Sequence, residues 1–417
     1  MKNIKADSLQ RRLAICGDQP RFNSPRCVGT PNIPNRATLY ARLDQMLDTK
    51  RLSNDGPFVQ EFEDRLSKLN DGVEVVSVSN GTVGMQLLLK ALDVAGEVLL
   101  PSFTFIATAH ACLWQGLEPV FVDVDRKTHT IDPAAVVSAL SERTAAIVGV
   151  HLWGRMCEVR ELEAIARDRG IPLIFDAAHA VGCTYKGVPV GRHGTASVVS
   201  FHATKFIQSL EGGAILTPDH DLADRLRLLR NFGFQGYDNV MTLGTNAKMN
   251  EFCAAMGLGS LEGSDAHVAT NLSNWTAYRE SLAGLPGLRL YKYDEAEKNN
   301  FQYLIVEVDP QASPLSRDEL VEVLHAENVI ARRYFTPGCH RSGPYRDMPR
   351  RKSERLPVTE QLCDTLLSLP TGAGVTTAEI AAIGDIIRTA IESADLLRSF
   401  LSTRRVPSGY PYAQMAP

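Results

Sequence analysis

From about Val73 the chain alternates short apolar runs with amphipathic segments, and this alternation restricts its possible folds more than any other feature. "VEVVSVSN", "EVLLPS", "PVFVDVD", "TAAIVGVHLW" and "PLIFDAAHA" are short, apolar and rich in β-branched residues. "TVGMQLLLKAL", "FIATAHACLWQG", "PAAVVSALS" and "EVRELEAIARDRG" space their apolar residues as helices do. Strands that are apolar on both sides need cover on both faces. The order strand, helix, strand therefore predicts an α/β fold built on a mostly parallel central sheet. Ligands of such sheets bind beyond the carboxyl ends of the strands, which is where chemistry should be sought.

At 417 residues the chain exceeds one ordinary core. Its texture changes near Asn271, where a helix "NWTAYRESLAGL", strands near "LRLYKY" and "NFQYLIVEV", and helices "SRDELVEVLHAEN" and "TAEIAAIGDIIRTAIES" follow one another. The expected division is an N-terminal arm (1–31), a large α/β domain (32–268), a smaller C-terminal α+β domain (269–400) and a Pro-rich, flexible tail (401–417). A helix is expected over Asp221 to Gly233. With 44% hydrophobic and 22% charged residues there is material for a sizeable core, and a net charge of -4 argues against a nucleic-acid or anionic-membrane partner. The partner should be a small molecule. No run approaches membrane-spanning length, and "MKNIKADSLQRRLAICGDQP" lacks the apolar stretch of a secretory signal, so a cytoplasmic location is expected. The eight cysteines form no Cys-x-x-Cys pair, which indicates neither a zinc site nor a disulfide framework.

Three places could carry chemistry. "SVSNGTVG" ends a strand and opens a helix at once, and the free N–H groups of a helix start beside Gly81 and Thr82 suit a phosphate, although an ordinary capped turn reads the same way. "PLIFDAAHAVG" puts Asp176 at the end of an apolar strand, with His179 three residues on; a carboxylate there can pair with a cationic heterocycle nitrogen or cap the next helix. "TASVVSFHATK" ends on Lys205, followed by Gly212-Gly213. A lysine leaving a buried strand can be desolvated into a reactive amine that condenses with carbonyls. Ser200 could add a hydroxyl to a phosphate site or bond a neighbouring strand. A phosphate cradle, a strand-end aspartate and a strand-end lysine together are the parts of a pyridoxal phosphate site.

The stretches "SNGTVGMQLLLKAL", "VLLPSFTFIATAHACLWQGLEPVFVDVDRKTHTID", "IFDAAHAVGCTYKGVPVGRHGTASVVSFHATKFIQSLEGGAILT" and "GTNAKMNEFCAAMGL" closely resemble the sugar aminotransferases of the DegT/DnrJ/StrS type, from "GPFVQEFE" at Gly56 to about Gly374. The resemblance implies a fold type I pyridoxal phosphate-dependent transferase, like aspartate aminotransferase. It also implies a homodimer with shared active sites, L-glutamate as amino donor and a nucleotide-linked keto sugar as acceptor. Carried over by position, Lys205 forms the Schiff base and shuttles the proton, Asp176 pairs with the pyridinium nitrogen, Phe105 stacks on the ring, and His179 touches its other side. Gly81, Thr82 and Ser200 contact the phosphate, Asn246 reaches the neighbouring subunit's cofactor, and pyridoxamine phosphate is the intermediate. Ala247 and Val83 depart from the common family pattern. Lys205 argues against the family's dehydratase branch, which carries histidine there. The stretch "RRYFTPGCHRSGPYR", Arg332 to Arg346, resembles relatives that act at C4 of 4-keto-6-deoxy nucleotide sugars, and C4 of dTDP-4-keto-6-deoxyglucose is the expected acceptor; its arginines and His340 could face the diphosphate or the sugar, or lie on a solvated loop. Amination at C3, a keto-cyclitol acceptor and a non-catalytic cofactor-binding role are the alternatives.

Overall fold

The computed structural model describes residues 13–349 and 355–403. Residues 1–12 of the expected arm and 404–417 of the expected tail lie outside the described residues. The apolar runs form a seven-stranded sheet of β1 (Glu74–Val78), β2 (Glu97–Pro101), β3 (Glu118–Val122), β4 (Thr144–Val150), β5 (Leu173–Asp176), β6 (Ala196–Ser200) and β7 (Gly213–Thr217). The spatial order is β1-β7-β6-β5-β4-β2-β3. All pairs are parallel except those of β7, which runs antiparallel to both β1 and β6. The sheet is thus mixed but mostly parallel, and the family resemblance is met by an α/β architecture.

Helices cover both faces. One face is packed by α1 (Arg36–Thr49), α2 (Pro57–Leu69), α5 (Pro133–Ala139) and α6 (Val159–Arg169) around Phe62, Leu66, Ile147 and Phe175; the other by α3 (Gly81–Ala91), α4 (Ile106–Trp114) and α7 (His220–Leu229) around Leu88, Leu100 and Val148. Local chemistry sets the helix starts. The Asn80 side chain accepts from Val83 N at the head of α3, and Asp219 does the same for Leu222 N in α7. At the head of α2 the work falls to a distant residue: the buried Glu251 carboxylate accepts from Phe58 N and Val59 N, both at 2.9 Å. A negative charge there also meets the positive end of the helix dipole. Gly56 is required beside it, because a Cβ would stand 2.5 Å from the Glu251 carboxyl carbon. The helix expected over Asp221 to Gly233 is shorter than its pattern suggests. It ends at Leu229, since Phe232 and Gly233 both take positive φ and turn the chain into a hairpin, β8 (Phe234–Gln235) with β9 (Asn239–Val240).

Glu251 opens α8 (Glu251–Glu262), which passes into α9 (Ser264–Ser281) and so to the smaller domain. That domain has a three-stranded antiparallel sheet, β10 (Leu288–Leu290), β11 (Leu304–Val308) and β12 (Leu366–Leu369), with α10 (Arg317–Ala326) and α11 (Thr377–Glu392) packed on it. Strand β12 was not anticipated, because "LLSL" is too short to carry a period. The described part of the N-terminal arm joins this core: Leu13, Ile15 and Phe22 are buried in it, and Arg26–Cys27 pair in parallel with Val329–Ile330. The Glu327 carboxylate secures the arm by accepting from Ala14 N and Arg21 N, both at 2.6 Å. All eight cysteines are free, and every one except Cys27 is buried. Among the described residues no helix is long and apolar enough to cross a membrane.

Candidate active site

The strand ends bring the expected residues to one edge of the sheet. Val150 lies beside Asp176, Asp176 beside Val198, and Ser200 beside Gly213, which in turn pairs with Val78. The turns leaving β1, β2, β4, β5 and β6 therefore open side by side. They carry Gly81 and Thr82, Phe105, Trp153, Asp176 with His179, and Ser200 with Lys205.

The start of α3 is a close-fitting cradle. A Cβ on Gly213 would come within 2.7 Å of Gly81 N, and one on Gly81 within 3.2 Å of Ser200 Cβ. Glycine at both places lets β7 and β6 approach the head of α3, where unpaired N–H groups and the dipole favour an anion. Val83, one of the departures noted above, leaves this turn intact, because its N–H is capped by Asn80 at 2.9 Å. Ala247, the other, is fully buried, with its N–H bonded to Arg230 O and its carbonyl accepting from Ser79 N.

Asp176 ends β5 partly exposed to this space. Its Oδ2 accepts from Thr108 Oγ1 at 2.7 Å and its Oδ1 from Ala178 N at 3.1 Å. Thr108 belongs to the first turn of α4, whose N-cap is Phe105, and Thr104 Oγ1 lies 3.0 Å from the Thr108 hydroxyl. Phe105 itself is 59% exposed, an aromatic face left open toward solvent at the mouth of the site.

Lys205 follows β6 and is partly buried. Burial pulls its ammonium below the usual lysine value, while Tyr334 and Asp176 act in the opposite direction. Its Nζ donates to Tyr303 Oη at 3.5 Å. His179 is buried and lies 3.0 Å from the same hydroxyl through Nε2, and its ring stacks on Trp153 with centroids 5.8 Å apart. Burial, helped by Lys205, pushes the His179 imidazole well below its ordinary value, so it is neutral. Its Nδ1 is buried and finds no hydrogen-bond partner among the described residues. Trp153 also stacks on Phe335 at 5.4 Å, so an aromatic wall joins the two domains behind the lysine. A cavity of about 20 Å³ beside Lys205 is lined by Thr30 of the arm, Thr204, Gln302 and Thr371, so the arm and the smaller domain both border the site.

Asn246 stands apart from this group. It is exposed at the base of the β8–β9 hairpin, bridged to Asn231, and makes no hydrogen bond to the residues above. The arginine-rich stretch at 332–346 is mostly framework. His340 is fully buried and lies 2.6 Å from Ser102 Oγ through Nδ1, while Arg333, Arg341 and Arg346 pair with Asp318, Glu360 and Asp347. Among the described residues Arg332 has no carboxylate partner; its guanidinium lies 5.7 Å from the Tyr334 ring centroid. Thr108, Trp153, Tyr303 and Tyr334 were not singled out from the sequence. Trp153 and Tyr334 lie within the quoted stretches "TAAIVGVHLW" and "RRYFTPGCHRSGPYR", and Thr108 lies three residues after Phe105.

A model of the DegT/DnrJ/EryC1/StrS aminotransferase family matches residues 35–388. The chain is 34% identical over 347 residues to dTDP-4-amino-4,6-dideoxy-D-glucose transaminase of Escherichia coli, covering 82% of this chain and 92% of that protein. It is 38% identical over 317 residues to the protein of the same name from Shigella dysenteriae, covering 76% and 86%. The structure superposes on that of DesI, crystallised in the presence of its TDP-sugar product, with a TM-score of 0.90, 46% identity, and coverage of 94% of this chain and 100% of that one.

Proposed function

The chain belongs to the DegT/DnrJ/EryC1/StrS aminotransferase family, and from that premise we propose that it moves an amino group from L-glutamate to C4 of dTDP-4-keto-6-deoxyglucose, with pyridoxal phosphate held at Lys205. The family is pyridoxal phosphate-dependent, and the residues of this site fit the group. The Gly81–Ser200–Gly213 cradle suits a phosphate, and the partnerless, buried His179 Nδ1 is a polar atom awaiting a ligand. Gly81, Thr82 and Ser200 would hold the phosphate, Asp176 the pyridinium nitrogen, and Phe105 and His179 the two sides of the ring. When bound, the cofactor supplies an electron sink for the bond next to the substrate nitrogen.

The protein's own part is proton handling and orientation. Asp176, fixed by Thr108 and Ala178 N, keeps a proton on the heterocycle nitrogen. Lys205 Nζ, lowered by burial, accepts the proton lost by the glutamate α-carbon and, in the second half-reaction, delivers one to C4 of the sugar. Arg332, beside the Tyr334 ring and without a carboxylate partner among the described residues, would be the cation of the 332–346 stretch that meets an anionic substrate group. The choice of sugar is carried by one observation, the identity of 34% and 38% with proteins named for 4-amino-4,6-dideoxyglucose.

The same reading includes a homodimer. The hairpin leaves Tyr237, Val240, Met241 and Leu243 between 57% and 97% exposed, an apolar patch that a second copy would cover. In such a dimer Asn246 at the hairpin base would serve the neighbouring site. The deciding experiment incubates the enzyme with glutamate and dTDP-4-keto-6-deoxyglucose and identifies the product by NMR. A C4 amine is expected; amination at C3, or no product with this sugar, refutes the assignment.

A further inference from the structure

The Tyr303 hydroxyl stands between two titratable side chains of the site, 3.5 Å from Lys205 Nζ and 3.0 Å from His179 Nε2. Its position is fixed. The ring is buried, lies edge-on to Trp153 at 5.3 Å, and its backbone carbonyl accepts from Tyr293 Oη at 2.7 Å. Burial holds the phenol protonated, well above its ordinary range. An ammonium can only donate, so the Tyr303 oxygen must accept on the Lys205 side, and its single proton is left for the other contact. A neutral imidazole that accepts at Nε2 carries its own proton at Nδ1.

We propose that Tyr303 is a positioning residue that holds the Lys205 amine through a one-way hydrogen-bond chain, Lys205 Nζ–H to Tyr303 Oη and Tyr303 Oη–H to His179 Nε2, leaving His179 Nδ1–H as a buried donor for the ligand of the site. In this polarity the buried Nδ1, which has no partner among the described residues, is the free end of the chain and carries its proton. The opposite polarity would need a neutral lysine as terminal acceptor and would leave a bare nitrogen at that end. The charged and titratable groups around the chain are Asp176 at the end of β5, Tyr334 in the loop of the smaller domain, and Arg332, which acts on both tyrosines. Among the described residues none of these groups hydrogen-bonds to Lys205, so the Tyr303 oxygen is the acceptor that fixes its amine.

The inference rests on the reading of Lys205 as the cofactor-bearing lysine, and the test separates the two. Borohydride reduction of the pyridoxal form should attach the cofactor to the Lys205 peptide; failure there sinks the reading itself. In the full-length enzyme loaded with pyridoxamine phosphate the Lys205 amine is free. Its titration can be followed by competitive acetylation with peptide mass spectrometry. Tyr303→Phe keeps the ring and removes the acceptor of the ammonium, so the Lys205 midpoint should fall by about one pH unit. An unchanged midpoint overturns the proposal. Independently of any variant, nitrogen NMR of the histidine-labelled wild-type enzyme should find His179 as the Nδ1–H tautomer; an Nε2–H signal overturns it even if Tyr303→Phe does not fold.

Discussion

Thr108→Val tests whether the hydroxyl beneath Asp176 matters to the site. The substitution keeps the shape of a buried side chain and deletes one short hydrogen bond to a carboxylate, 2.7 Å long. Bonds to a charged group contribute about 1.5–3 kcal/mol. Asp176 would retain the bond from Ala178 N at 3.1 Å, so the lower end applies, and about 1.4 kcal/mol is tenfold in an equilibrium or a rate. Cofactor affinity and kcat/KM for the glutamate half-reaction should each fall about tenfold. The change also removes the partner of the Thr104 hydroxyl, 3.0 Å away and buried, at a further cost of about 1–3 kcal/mol in stability. Thr108→Ser restores the hydroxyl and should recover both binding and turnover. Equilibrium binding of pyridoxal phosphate and single-turnover kinetics read the effect. A Thr108→Val enzyme that binds and turns over like wild type, or a Thr108→Ser enzyme as impaired as Thr108→Val, would refute the reasoning.

Gly213→Ala should damage the phosphate cradle without touching a catalytic side chain. The new Cβ would meet the backbone at Gly81 N (2.7 Å), the Asn80 carbonyl carbon (2.8 Å) and Val199 O (2.9 Å), none of which can swing aside, so cofactor affinity should drop by at least about tenfold; titration with the cofactor checks this. Stability should decline in mild acid. Burial lowers His129 and His151 to about 3, and both accept a hydrogen bond on Nδ1, from Trp153 Nε1 and Cys157 N respectively; His179 is shifted the same way. Because their folded values lie below the unfolded value near 6.5, the unfolded chain takes up the protons first. The stability they confer is full above about pH 6.5 and is lost on descending toward pH 3, at about 1.4 kcal/mol per pH unit for each histidine. Denaturant unfolding at successive pH values measures this, and a flat profile between pH 7 and pH 5 would contradict it.

Much of the large domain was legible because its strands and helices carry their period locally. Each run from "VEVVSVSN" to "GGAILTP" forms a strand or helix close to where its pattern puts it. Asp176, His179, Ser200 and Lys205 were found because they sit where an apolar strand stops, and such a stop is visible along the chain. The helical pattern over Asp221 to Gly233 outruns the helix itself because composition does not report the positive φ at Phe232 that turns the chain. The partners of the site residues were hidden for a different reason. Thr108 lies 68 positions from Asp176, and Tyr303 lies 98 from Lys205 and 124 from His179. No short-range period encodes a contact of that span.

By itself, then, the sequence determined the alternation of strand and helix, the edge of the sheet where chemistry would lie, and the lysine and aspartate that stand there. Hydrophobic period and the stopping of a strand are properties of neighbours along the chain. The tertiary structure alone decided that β7 inserts antiparallel between β1 and β6, bringing Gly213 against Gly81. It alone packed the arm from Leu13 to Cys27 into the smaller domain, buried His340 as a brace, and set Tyr303 between Lys205 and His179. Those outcomes depend on which distant surfaces exclude water together, and that is settled only when the whole chain has closed on its cores.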